Sequence, residues 1–134
     1  MSTVVDKTGF VPDLWQDSPL HTYEELGDAS ALLLTADMDP ELIGPHLEQL
    51  SLIVIPFGSS TDGRGFSLAR TLREMGFSGH LRARGHILVD QARAAYRCGF
   101  DDIEIEDPQA ARNPEAQWRS VSQRFDYRND LLAG

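Results

Sequence analysis

Two short words constrain this chain more than anything else in it. Met75-Gly76-Phe77 and Cys98-Gly99-Phe100 stand 23 residues apart, and each follows a helical period and precedes a strand-like run. A glycine just past a helix supplies the left-handed cap that L-residues resist. The phenylalanine after it predicts a plug for the layer between helix and sheet. The spacing is that of one βα unit. Strands that alternate with helices imply a parallel sheet with right-handed crossovers.

The rest of the chain extends the pattern. Ser30–Ala36 is an apolar run of strand length. Asp39-Pro40-Glu41 opens a helix, with Asp39 as N-cap and Pro40 in its first turn. Leu42, Ile43, Leu47 and Leu50 give that helix an apolar face. Leu52-Ile53-Val54-Ile55 reads as a strand buried on both sides. Phe66, Leu68, Ala69, Leu72 and Met75 recur at helical spacing, and His80–Arg84 alternates like a strand. Leu88, Gln91, Ala92, Ala95 and Tyr96 mark a third helix. Asp102–Glu106 alternates as an edge or half-buried strand does. A fourth helix is expected over about 114–125, with Trp118, Val121 and Phe125 inward. The expected fold is α/β, a parallel sheet of about four βα units. It is either an open three-layer sheet or half of a (βα)8 barrel, and the latter would leave an apolar edge and favour a homodimer. Residues 1–29 show no period and read as an arm or irregular lead-in to a single α/β domain over 30–134.

The 134-residue length suits one domain that buries roughly two-thirds of its unfolded surface. One cysteine, Cys98, excludes an internal disulfide and a cysteine-rich metal or cluster site within one chain. No long apolar run and no basic-then-apolar N-terminus is present, which points to the cytoplasm. The net charge of −9 argues against nucleic acid as a partner. That charge is unevenly spread: −10 over residues 1–62, +5 over 64–97 and −4 over 98–134. An arginine-rich block thus sits inside an acidic frame. Arginine suits planar, bidentate recognition of carboxylates and oxyanions.

Sites in parallel α/β folds form at the carboxyl ends of strands. The richest such end is Gly58–Gly65, where Thr61, Asp62, Gly63, Arg64 and Gly65 precede a helix. Backbone N–H groups and glycines there suit an anion; a structural loop capped by Asp62 is the plain alternative. No Walker or dinucleotide fingerprint is present. Arg82 and Arg84 share a strand face with His80. They form either a solvated edge stripe or an inward stripe that needs an anion or the carboxylates Asp62, Asp90 or Glu104. His86, at a strand end, is a candidate acid or base. Asp90, Gln91 and Arg97 are candidate pairing residues around such a site; the plain alternative for Asp90, Arg93 and Arg97 is a solvated, salt-bridged helical face. The four histidines show no metal-ligand spacing.

The words Thr61-Asp62-Gly63-Arg64-Gly65, Leu72-Arg73, Gly79, Leu81-Arg82-Ala83, Gly85, Asp90-Gln91 and Arg97-Cys98-Gly99-Phe100-Asp101 occur in order. Together they resemble the bacterial family called domain of unknown function 934, densely over about 45 residues. Trp15-Gln16 is a further shared word. His80 departs from the family pattern, which has glutamate there. The resemblance implies a role in sulfite reduction, since family members are labelled oxidoreductases of that process. No redox cofactor can be assigned from the residues. The expected function is therefore an accessory protein that docks with sulfite reductase or its electron donor. Two alternatives stand beside it: a small oxyanion-binding enzyme or sensor using Asp62, Arg64, Arg82 and Arg84, and a structural dimer module whose arginines only form ion pairs.

Overall fold

The structure is a computed structural model, and it describes residues 2–58 and 63–119. Ten elements follow in chain order: β1 (Ser2–Asp6), β2 (Gly9–Val11), β3 (Ala31–Leu33), α1 (Pro40–Ile43), β4 (Leu52–Phe57), α2 (Arg64–Glu74), β5 (His80–Gly85), α3 (Ala92–Arg97), β6 (Asp102–Glu106) and α4 (Asp107–Arg112). The strands form one mixed sheet in the order β2-β1-β6-β5-β4-β3. The pairs β3–β4, β4–β5 and β5–β6 are parallel. The pairs β1–β6 and β1–β2 are antiparallel. The sheet is mostly parallel, and the wholly parallel sheet expected from the sequence is corrected at this end. Ser2–Asp6, where no period was visible, is a strand of five residues. It lies beside β6, so Asp102–Glu106 is an interior strand rather than an edge.

The two glycine–phenylalanine junctions form as expected. Gly76 and Gly99 have φ of 105° and 107°. In each, the glycine N–H reaches back to a carbonyl three residues earlier and the phenylalanine N–H to one five earlier (Arg73 and Leu72; Tyr96 and Ala95). This is the Schellman arrangement, used twice. Phe77 and Phe100 are both buried in the main core.

Helix α1 begins as its sequence dictates, with the Asp39 carboxylate accepting from Glu41 N at 3.0 Å. It is shorter than expected. Pro45 has no N–H to continue an α-helical ladder, and Gly44–Gln49 winds as a tighter 3-10 turn. Leu42 therefore faces solvent, while Ile43 and Leu50 are buried. A 3-10 turn over Val89–Gln91 likewise precedes α3, and Leu88 is exposed. Helix α4 was not foreseen; Asp107-Pro108 start it. Residues 115–119 are helical, and Trp118 is fully buried, with its indole N–H donated to Asn113 O at 2.8 Å. Val121 and Phe125 lie outside the described residues.

Strand alternation divides the side chains between two faces. One face packs Ile53, Ile55, Leu81, Ala83, Ile103 and Ile105 against Leu68, Ala69 and Leu72 of α2 and Ala92 and Ala95 of α3. The other carries Ala31, Leu52 and Val54, covered by Trp15, Leu20 and Leu33. On that second face β5 and β6 turn charged side chains under the N-terminal segment. The helices thus dry one face, and a strap of residues 12–20 covers part of the other.

Candidate functional site

The register of β5 and β6 places Arg82 opposite Asp102 and Arg84 opposite Glu104. Arg82 donates Nε to Asp102 Oδ1 at 2.9 Å and Nη2 to Oδ2 at 3.0 Å, a bidentate fork. Its Nη1 donates to Asp13 Oδ1 at 3.0 Å and lies 3.5 Å from Glu104 Oε1. Arg84 Nε donates to the same Glu104 oxygen at 3.3 Å. His80 Nε2 stands 2.8 Å from Asp102 Oδ2. An ionised carboxylate only accepts, so Nε2 carries the proton. The side chains of Arg82 and Asp102 are only 4% and 6% exposed.

Burial is the largest influence on both of these charges and opposes both. At Asp102 the hydrogen bonds from His80 and Arg82 outweigh it and hold the carboxyl below the usual aspartate range. At Arg82 the hydrogen bonds and charges of Asp102 and Asp13 outweigh it and hold the guanidinium above its ordinary value. Arg82 and Asp102 are thus both held in their charged forms.

The strap is tied to this array. Asp13 Oδ1 also accepts from Trp15 N at 2.9 Å, so one oxygen sets both the turn and the link to Arg82. The Trp15 ring packs on His80 with centroids 5.5 Å apart. Trp15 and Arg82 line two cavities. One, of about 320 Å³, includes Asp13, Arg84 and Glu104. The other, of about 590 Å³, includes Val11, Pro12, Leu14, His80 and Asp102.

The carboxyl edge of the sheet forms a separate cleft of about 650 Å³. Asp37, Gly63, Arg64, Ser67 and Thr71 are among its lining residues. Gly65 packs its α-carbon on the Phe57 ring, where a β-carbon would collide. Thr61 and Asp62 lie outside the described residues. The sequence expectation of one site holding Arg64 with Arg82 and Arg84 is therefore divided: Arg64 lines this cleft, and the other two line the cavity on the charged face. His86 is exposed beyond β5, its backbone N–H bonded to Phe57 O at 3.0 Å. Asp90 is exposed on the turn before α3, Gln91 is half-buried there, and Arg97 is exposed near the end of α3. None of these four lines either of the two cavities beside Trp15.

Of the carboxylates expected to face Arg82 and Arg84, Glu104 is one. Asp102 and Asp13 were missed. Asp102-x-Glu104 beside Arg82-x-Arg84 was the available signal, a complementary pair of alternating charges on strands one unit apart. Trp15-Gln16 was the signal for the strap. At position 80, His80 supplies a proton to Asp102.

Arg73 explains another part of the shared words. Its guanidinium donates to the carbonyls of Gly99, Phe77 and Gly79 at 2.9–3.0 Å and to Asp101 Oδ2 at 2.8 Å. It also lies 5.3 Å over the Phe77 ring. Leu81 N donates to the same Asp101 oxygen at 2.8 Å. Arg73 and Asp101 thus tie both junctions together at the amino ends of β5 and β6.

A family profile described as "Bacterial protein of unknown function (DUF934)" matches residues 31–132. The chain belongs to this family. The match starts at the first residue of β3, so the β1–β2 hairpin and the strap with Asp13 and Trp15 precede it. No curated protein and no solved structure matches the chain. No helix among the described residues is long and apolar enough to cross a membrane.

Proposed function

We propose that this protein is an accessory protein in assimilatory sulfite reduction that docks with the reductase or its electron donor. The resemblance to family members labelled for that process supplies the pathway. The internal engagement of three arginines of the basic block supports the mode of action. Arg73, Arg82 and Arg84 are bonded to carboxylates within the chain. The acid excess lies elsewhere, and Asp17, Glu24, Glu25, Asp28, Glu41 and Glu48 are all exposed. Such a surface steers and orients a basic partner, and salt weakens it. On the same reading it acts in the cytoplasm. A tagged chain should capture the reductase or its donor at about 50 mM salt and release it at about 500 mM. Failure to capture either, with normal growth of a deletion strain on sulfate, overturns the reading.

One observation favours a second reading. Gly63, Arg64, Ser67 and Thr71 line the cleft at the carboxyl edge, where ligands of open α/β sheets bind. This supports a small oxyanion as ligand. Millimolar sulfite, sulfate or phosphate should then raise the melting temperature, and Arg64→Ala should abolish the rise. No shift in the native protein overturns it.

The sequential order β3-β4-β5-β6 supports a half-barrel plan of four βα units. We propose a homodimer with it, because such a plan leaves open edges. A monomer mass by light scattering refutes the dimer.

A further inference from the structure

We propose that the cavity beside Trp15 binds a small uncharged molecule with a flat apolar body and one hydrogen-bond donor, held at His80. This site is separate from the cleft at Arg64.

Its volume, about 590 Å³, lies within the usual range for small-molecule pockets. Val11, Pro12, Leu14 and Trp15 supply an apolar wall, and Leu14 is 88% exposed at its rim. An apolar wall left open to water gains by taking an apolar body. The polar floor is His80, Arg82 and Asp102, and the Asp6 carboxylate completes the lining, its Oδ1 accepting from Thr8 N and Oγ1 at 2.7 Å. Arg82 is already engaged by Asp102, Asp13 and Glu104, and Asp6 repels negative charge, so an anion would have to displace a carboxylate from its buried partner. That favours an uncharged ligand.

On the polar floor His80 is the group with capacity to spare. It is 26% exposed, and its Nε2 proton is committed to Asp102. Its Nδ1 makes no hydrogen bond to the described residues. With Nε2 protonated, Nδ1 of the neutral ring is an acceptor. The group that satisfies it is a hydroxyl or N–H donor. The wall is already positioned for this, because Asp13 ties the Trp15 backbone to Arg82. Little ordering then remains to oppose binding.

The test uses phenol, toluene and benzoate as probes on the full chain. Nuclear magnetic resonance reads the His80 ring carbons and the Trp15 indole N–H. Phenol should give saturable shifts at both residues, with a Kd of about a millimolar for so small a fragment. It should bind about fivefold more tightly than toluene, the effect of one hydrogen bond. Benzoate should bind more weakly than phenol. His80→Phe keeps the ring volume but removes the acceptor, and should bring phenol down to the toluene level. His80→Gln, which keeps both a donor toward Asp102 and an acceptor, should retain part of the preference and serves if the phenylalanine variant fails to fold. No saturable shift at about 5 mM phenol, equal binding of phenol and toluene, or an unchanged preference in both variants overturns the proposal.

Discussion

Replacing Asp102 by asparagine tests the charged face of the sheet most directly. The carboxylate receives both arms of the Arg82 fork and the His80 proton, at 2.8–3.0 Å. Asparagine keeps the volume but has one acceptor oxygen, and its NH₂ must face a donor. Arg82 then sits 4% exposed with Asp13 as its remaining close carboxylate. Breaking a buried ion pair from one side costs about 3–5 kcal/mol. Asp13 and the more distant Glu104 retain part of the compensation, so Asp102→Asn should cost about 3 kcal/mol, the low end of that range. For a chain of this size that lowers the melting temperature by about 10 °C. Arg82→Met should cost more, because it leaves Asp102, Asp13 and Glu104 together without their common cation. The double variant Arg82→Met/Asp102→Asn should be destabilised by less than the sum of the two single changes, because the second change removes a partner already lost. Urea unfolding followed by circular dichroism measures all three. If Asp102→Asn lies within about 1 kcal/mol of the native protein, or if Arg82→Met is the milder change, the account of a mutually dependent buried array is wrong.

Other predictions follow from the same geometry. Because its folded-state affinity for protons is depressed, Asp102 contributes stability at pH values above the ordinary aspartate range. That contribution should fade as pH falls below about 4 through the lowered folded value, and acid unfolding of Asp102→Asn should be less steep there. Gly76→Ala should cost about 1 kcal/mol, the left-handed backbone penalty alone, since its β-carbon would meet open space. Gly99→Ala should cost more, about 2–3 kcal/mol, because its β-carbon would also come within 2.5 Å of Arg73 Cγ, held in place by its hydrogen bonds; thermal melts rank the two. Arg73→Lys should lose about 2 kcal/mol despite keeping its charge, since one ammonium cannot span three carbonyls and Asp101 at once. Equal stability of the lysine variant and the native chain would remove Arg73 from its role at the junctions.

The elements that could be read in advance are those whose cause is local. The two glycine junctions, the Asp39-Pro40 helix start and the buried run of β4 depend on residues within one or two turns of each other. The strand β1 and the strap escaped notice for the opposite reason. Ser2–Asp6 is a strand because β6 offers it an edge about a hundred residues later in the chain, as in the pair Thr3–Ile105. Its own five residues carry too little pattern to announce that. Alternation in β6 suggested an edge or half-buried strand because charge alternates there with apolar side chains, and the charges are in fact satisfied by a neighbouring strand.

The candidate site divides along the same line. The arginine block and the Trp15-Gln16 word were visible as residues. Their destinations were not, because a one-residue change of register sends a side chain to the opposite face of a sheet. The amino-acid sequence alone determined the α/β alternation, the two helix caps and the family. Only the tertiary structure decided that Arg82 meets Asp102 and Asp13 while Arg64 lies in a different cleft. Burial makes that pairing obligatory: a charge removed from water needs its partners within about 3 Å, and those partners lie 69 and 20 residues away in the chain.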